Sequence, residues 1–201
     1  VSTPVAIPTR ERLLSAAQEL IEGGGYGAAS VLAIAERAGV AAGTLYRHFS
    51  SKEELFASLF RTVCDREEEA MRAAAGGAPP GATQAERLEA VLITFASRAL
   101  RRPRLAWALI AEPVDPLVDA ERLAYRARYA SLIAEALSRG IAAGELPEQD
   151  PEIVAAALVG GCGEALVGPL SPLAASGPAP AAVLDGLRTF TRRAIGAPAD
   201  D

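Results

Sequence analysis

Hydrophobic residues recur along this chain at three- and four-residue intervals, and the runs that carry them end at Gly, Pro or Asp-Pro signals. Leu13, Leu14, Ala17, Leu20 and Ile21 line one face of a first predicted helix, capped by Thr9 and closed by Gly23-Gly24-Gly25. Tyr26 follows the glycines and is expected to pack beneath the next two helices. Val31, Ile34, Ala35 and Ala38 repeat the spacing behind Ser30, whose hydroxyl suits a helix cap. Gly39 ends that helix, because a residue without a Cβ enters the left-handed region cheaply. A further short helix is expected over residues 41–49, with Leu45 and Phe49 on its inner side. Two short helices joined by a tight turn are the sequence form of a helix-turn-helix, whose second helix lies in the DNA major groove.

Ser51-Lys52-Glu53-Glu54 reads as a capping box opening a long helix over residues 51–75, with Leu55, Leu59, Val63 and Arg66 on one side. The Glu67-Glu68-Glu69 run reads as a solvated face. A Gly/Pro loop over residues 76–82 is the best internal boundary. Beyond it, periodic segments over 83–100, 103–112, 115–140, 152–168 and 180–195 read as five more helices. Asp115-Pro116 and Asp150-Pro151 supply two of the starts. The predicted class is all-α with about nine helices. Residues 1–8 form a flexible tail, 9–52 a helix-turn-helix domain, and 53–201 a second helical domain.

Thr44, Tyr46, Arg47, His48 and Lys52 are donors of the kinds that hold phosphate oxygens, and Gly43 lets the backbone approach a duplex. With Gly43-Thr44-Leu45-Tyr46-Arg47-His48-Phe49 followed by Ser51-Lys52, the chain resembles the TetR family of transcriptional regulators over residues 9–61. The remainder resembles it only in length and helix pattern. The resemblance implies that Tyr46, His48 and Lys52 contact phosphate, that Ala42 and Thr44 face the groove, and that Arg47 touches phosphate or a base edge. With Ser30 and Gly43 these form the candidate DNA-binding set. Arg10 and Arg12 stand near enough to reach phosphate, although solvated arginines are the commoner outcome. Ala29, Ala41 and Ala42 occupy places where the family often carries longer polar residues, and Leu32 sits at a commonly polar outward position. Direct base readout is therefore expected to be thin.

The net charge of -5 runs against DNA binding, but its distribution matters more. Through Lys52 there are five basic and four acidic residues; the rest holds 15 basic and 21 acidic. Affinity follows local phosphate contacts, so weak non-specific binding and a need for dimerisation are expected. Half the residues are hydrophobic and only 5% aromatic, which calls for a core of Ala, Leu and Val. Cys64 and Cys162 lack metal-ligand spacing and read as reduced, buried thiols suited to a reducing cytoplasm. No leader pattern is legible, and no apolar run of about 18 residues escapes a charge or Pro, so no membrane partner is expected. His48 is the only histidine, which removes His-based triads and most metal sites. Neither a G-x-S-x-G nor a phosphate-binding glycine loop occurs. The chain is read as a non-enzyme without a cofactor.

Phe95, Trp107, Tyr125 and Tyr129 lie on three predicted helices of the second domain and are expected to converge on a largely apolar effector pocket, with Arg122, Arg126 or Glu164 as polar contacts. Glu164 is the only charged residue between Ile153 and Leu184. A carboxylate in such surroundings needs a partner. An effector, Arg122 or Arg126, and a second subunit all remain open, beside a plain solvent-facing position. The resemblance further implies a homodimer whose seam is formed by the last two helices, placing Leu158, Gly161, Ala165, Leu187 and Phe190 in it. The leading expectation is a sequence-specific, homodimeric repressor bound to a palindromic double-stranded DNA operator and released by a small apolar or amphipathic effector. The alternatives are a DNA-binding regulator controlled by a protein partner or by abundance, and a helical binding protein or enzyme with a vestigial hairpin.

Overall fold

The computed structural model describes residues 7–173 and 177–197. The first six residues of the expected tail therefore lie outside the described residues. Among those described there are nine α-helices and no strand: α1 (Thr9–Gly24), α2 (Val31–Arg37), α3 (Ala42–Leu45), α4 (Lys52–Gly76), α5 (Gln84–Arg101), α6 (Pro103–Ile110), α7 (Pro116–Ala142), α8 (Pro151–Leu170) and α9 (Pro180–Ala194). One 3-10 turn, Tyr26–Ala28, follows α1.

Several starts are set by side-chain caps that satisfy otherwise orphaned amides. The Ser30 hydroxyl accepts from the Ala33 N–H, and Asp115 and Asp150 accept from the first amides of α7 and α8 behind Pro116 and Pro151. Thr83 and Glu86 form a full capping box on α5. Two expectations are corrected. Thr9 is the first helical residue rather than the cap; Pro8 stands at that position with no side-chain bond. At α4, Ser51 accepts from the Glu54 N–H at 3.1 Å, but Glu54 reaches back to the Ser50 N–H, one residue further than a capping box requires.

In the first unit, Leu13, Leu14 and Ala17 of α1 pack on Ile34 and Ala35 of α2 and on Leu45 and Phe49, all buried. Gly39 makes the turn at φ +66°, as expected. The second helix of the hairpin is shorter than the sequence suggested. After Leu45 the Arg47 and His48 amides bond three residues back, to Thr44 and Leu45, so the chain tightens into turns ahead of α4. Arg12 is not a free cation at the surface: its guanidinium donates to the carbonyls of Ala38 and Gly39, clamping α1 onto the turn. Arg10 lies over the Phe49 ring at 5.0 Å.

Helix α4 leaves this unit and becomes a wall of the next, packing on α5 and α7, while α8 packs on α7 and α5 and α9 closes over α5 and α8. Leu158 and Leu187 are buried inside the protomer, against the expectation that they form a seam between subunits. Gly161 has a similar explanation within one chain, since a Cβ there would stand 2.9 Å from the Phe190 ring of α9. Ala165 is exposed and Phe190 is 41% exposed, so both remain on the outer surface. Of the described helices, α8 alone is long and apolar enough to cross a membrane; it carries Glu164 and Pro169, and its buried side lies on neighbouring helices.

Arg12→Ala should destabilise the protein by about 1–3 kcal/mol, because two carbonyls at the end of α2 lose their charged donor. Urea unfolding of the full chain checks this, and an unchanged midpoint would mean that water replaces the clamp without loss.

Candidate functional site

The hairpin divides its residues cleanly. Leu45 and Phe49 face inward, while Tyr46 (56% exposed), Arg47 and His48 face solvent on the opposite side. Ala42 and Thr44 are half-buried, and Gly43 is exposed with open space where a Cβ would stand. Ser30 is exposed at the α2 start, its oxygen already engaged as a cap. Leu32 points outward at 70% exposure. Lys52 stands at the first turn of α4, with its ammonium 5.1 Å from the centre of the Tyr26 ring and 5.2 Å from that of Phe56. The Tyr26 ring is tilted against Phe56 with centroids 4.3 Å apart, so it packs at the head of α4.

The second unit encloses a cavity of about 110 Å³ between α4, α5, α6, α7 and α8. Four rings cross it as a ladder: Phe60 to Tyr125 at 5.8 Å, Tyr125 to Tyr129 at 6.0 Å, and Tyr129 to Phe95 at 5.8 Å. Met71, Leu92, Leu105, Leu109, Ile110 and Ile133 complete an apolar lining. The tyrosine hydroxyls are spent on α4. Tyr125 donates to Asp65 at 2.7 Å and to the Arg61 carbonyl, and Tyr129 donates to the Cys64 carbonyl. Burial raises both phenol pKa values well above the ordinary tyrosine range, so both hydroxyls stay protonated donors.

Phe95, Tyr125, Tyr129, Arg122 and Arg126 all line this cavity, as the sequence suggested; Trp107 and Glu164 do not. Trp107 is half-buried on the side of α6 away from Leu105, Ala106, Leu109 and Ile110, which face inward. Glu164 is exposed on the outer face of α8, so the cavity is not its partner. Arg122 is only partly free. Its guanidinium donates to the carbonyls of Ala108, Leu109 and Glu112, capping α6, and to Asp119. Desolvation lowers its pKa, against the smaller opposing pull of Asp119.

Other lining residues escaped the sequence analysis. Glu67 is not a solvated charge: it pairs with Arg98 across the α4–α5 wall at 2.9 Å. Its neighbour Glu68 is buried and pairs with Arg72 and Arg128. Arg102 meets Glu22 of α1 at 3.6 Å. Arg126 is exposed and has no carboxylate partner among the described residues. The rim thus carries Arg98, Arg102, Arg122 and Arg126 against one carboxylate, Glu67. Cys64 and Cys162 both face the cavity, and burial pushes each thiol up to about 12, which leaves them protonated and unreactive at neutral pH. Among the described residues, no group of three or more His, Cys, Asp or Glu side chains is placed to hold a metal ion.

Residues 13–59 match the family of bacterial regulatory proteins of the tetR type, and residues 81–166 match the tetracyclin repressor-like C-terminal domain. The chain belongs to the TetR family. Among relatives of this TetR-family chain is the HTH-type transcriptional repressor KstR of Mycobacterium tuberculosis, 35% identical over 143 residues. That match takes in 70% of the chain and 61% of KstR, so the chain spans less than two thirds of that relative's length. The fold is shared with the fatty acid degradation regulator FadR of Bacillus halodurans (TM-score 0.78, 22% identity, 93% of this chain and 96% of that one). It is also shared with FadR of Bacillus subtilis, solved with stearoyl-CoA (TM-score 0.70, 23% identity, 92% and 95%).

Proposed function

We propose that this chain is a sequence-specific transcriptional repressor that binds operator DNA as a homodimer and lets go when an amphipathic anion with a long apolar chain enters the cavity. The observation that carries this reading is one apolar cavity, ringed by arginines, whose α4 wall begins beside the exposed hairpin. Apolar lining favours a hydrocarbon tail, and the excess of guanidinium groups at the rim favours an anionic head. The stearoyl-CoA held by the Bacillus subtilis FadR has that chemistry. The protein acts in the cytoplasm, where its DNA lies, and not as an enzyme or at a membrane.

Tyr46, Arg47 and His48, with Lys52 alongside, supply phosphate contacts, and Thr44 and Ala42 face the groove. An exposed strip of small and apolar residues on α8 (Ile153, Ala156, Ala157, Gly160, Ala165), continued by Phe190 of α9, supports dimerisation through these helices. Glu164 lies on that strip and is assigned to the seam.

Lys52→Ala and Tyr46→Phe should each weaken binding to an operator selected from a random duplex library. Lys52→Ala should lower the salt slope by about one unit. Equal slopes in fluorescence anisotropy would remove Lys52 from the interface.

Ala157→Arg places a charge in the outer strip of α8 without touching the protomer core. Sedimentation should show a dimer for the native chain and a monomer for the variant; two species of equal mass would refute the seam.

Stearoyl-CoA, used as a probe, should alter Trp107 fluorescence and release operator DNA. Arg126→Ala should weaken its binding about fivefold, which corresponds to roughly 1 kcal/mol for an exposed charged contact. DNA binding untouched by saturating stearoyl-CoA and by free fatty acids would favour control by a protein partner.

A further inference from the structure

Helix α6 is held to the DNA-side unit by a bond that nothing in the hairpin itself requires. Both carboxylate oxygens of Glu112, just past the end of α6, accept from the backbone N–H of Tyr26, at 3.2 and 3.3 Å, across 86 residues of sequence. Glu112 is itself anchored. Its N–H donates to the Trp107 carbonyl and its carbonyl accepts from Arg122, so the side chain moves with the end of α6. The site is shaped for the carboxylate. Gly25 takes φ +77°, and a Cβ there would stand 3.3 Å from a Glu112 oxygen. On the far side of the bond, the Tyr26 ring and Phe56 form the seat of the Lys52 ammonium. On the near side, Leu105, Ala106, Leu109 and Ile110 of α6 line the cavity.

We propose that Glu112 is a positioning residue for DNA contact: by clasping the Tyr26 amide it fixes the aromatic seat of Lys52 and ties that seat to the cavity wall. This rests on the reading of Lys52 as a phosphate contact. A lysine held over two rings keeps a narrow set of rotamers, so its ammonium is presented to phosphate with little entropy left to lose. Opening the clasp frees Tyr26, and with it Lys52. Arg102 to Glu22, the ion pair between the start of α6 and α1, is long and exposed and adds little beside the direct packing of α6 on α1.

Lys52 is the only lysine in the chain, which gives a direct readout. Reductive methylation of this chain with ¹³C-formaldehyde yields a single lysine signal besides that of the chain terminus. In the native protein that signal should lie upfield of the free dimethyl-lysine position, through the ring currents of Tyr26 and Phe56. Glu112→Ala should move it back toward the free position, whereas Glu112→Gln, whose amide oxygen still accepts the Tyr26 N–H, should hold it. Tyr26→Leu keeps the backbone bond but removes the ring, and should shift the signal at least as far as Glu112→Ala. That variant keeps the test open should Glu112→Ala unfold. With the selected operator, Glu112→Ala should weaken binding, and the double variant with Lys52→Ala should bind no more weakly than Lys52→Ala alone. An unmoved lysine signal in folded Glu112→Ala, or losses that multiply in the double variant, would overturn the clasp. A normal operator affinity for Lys52→Ala alone would instead overturn the DNA role of Lys52, while the lysine signal still reports on the clasp.

Discussion

Helix α4 is a single rigid element that belongs to two cores at once, and most of the molecule's behaviour follows from that sharing. At its head Leu55 and Phe56 are buried, with the Tyr26 ring against Phe56; its middle, from Phe60 to Met71, is a wall of the cavity. A continuous hydrogen-bonded helix does not bend freely between these stations, because each backbone bond along it would have to lengthen. A change in its tilt at the cavity is therefore delivered to its head. The polar groups around it reinforce this. Tyr125 and Tyr129 donate to Asp65 and to the carbonyls of Arg61 and Cys64, Arg128 pairs with Asp65 and Glu68, and Glu67 pairs with Arg98. These bonds fasten α4 to α7 and α5 along the same stretch that lines the cavity.

What was legible in the sequence was what depends on near neighbours. Gly39 at positive φ, Ser30 as a cap, and Leu45 with Phe49 turned inward all obey rules that act over three or four residues. Tyr125 and Tyr129, four apart on α7, were readable for the same reason, and their shared helix phase brings them to the cavity. Trp107 was misplaced because α6 is only eight residues long and apolar over most of its surface, so periodicity offers little to set its phase. Glu164 misled in a related way. The flanking sequence is apolar all round, which suggests burial, yet half of that helix surface is outside the protomer.

The interactions that were not legible are those between distant positions. Nothing near Glu112 in the sequence announces Tyr26, and nothing near Arg12 announces the carbonyls of Ala38 and Gly39. The Glu67-Glu68-Glu69 run looks like a surface until Arg98 and Arg128 are brought beside it by α5 and α7. Each of these charges is satisfied by an element that arrives only when the fold is complete. Apart from the Arg12 clamp within the first unit, they are the contacts joining the two units or the walls of the cavity, so the sequence hid the coupling more than it hid the parts.

The size of the cavity bears on which of these contacts yields. At about 110 Å³ it is smaller than the roughly 300–1,000 Å³ of an ordinary ligand pocket, and close to what a single benzene-sized guest fills. A longer chain must extend through the open side of the cavity or displace a wall, and each methylene it buries contributes about 0.8 kcal/mol. A hydrogen bond to a charged group contributes about 1.5–3 kcal/mol, so about four extra methylenes outweigh the bond between Glu112 and Tyr26. The α4 and α7 walls are cross-linked by several such bonds, whereas α6 is short and meets the DNA-side unit through its packing on α1 and the bond from Tyr26 to Glu112. Under the proposed release by an effector with a long apolar chain, the carboxylate–amide contact at Glu112 sets part of the cost of moving α6, alongside the packing of α6 on α1.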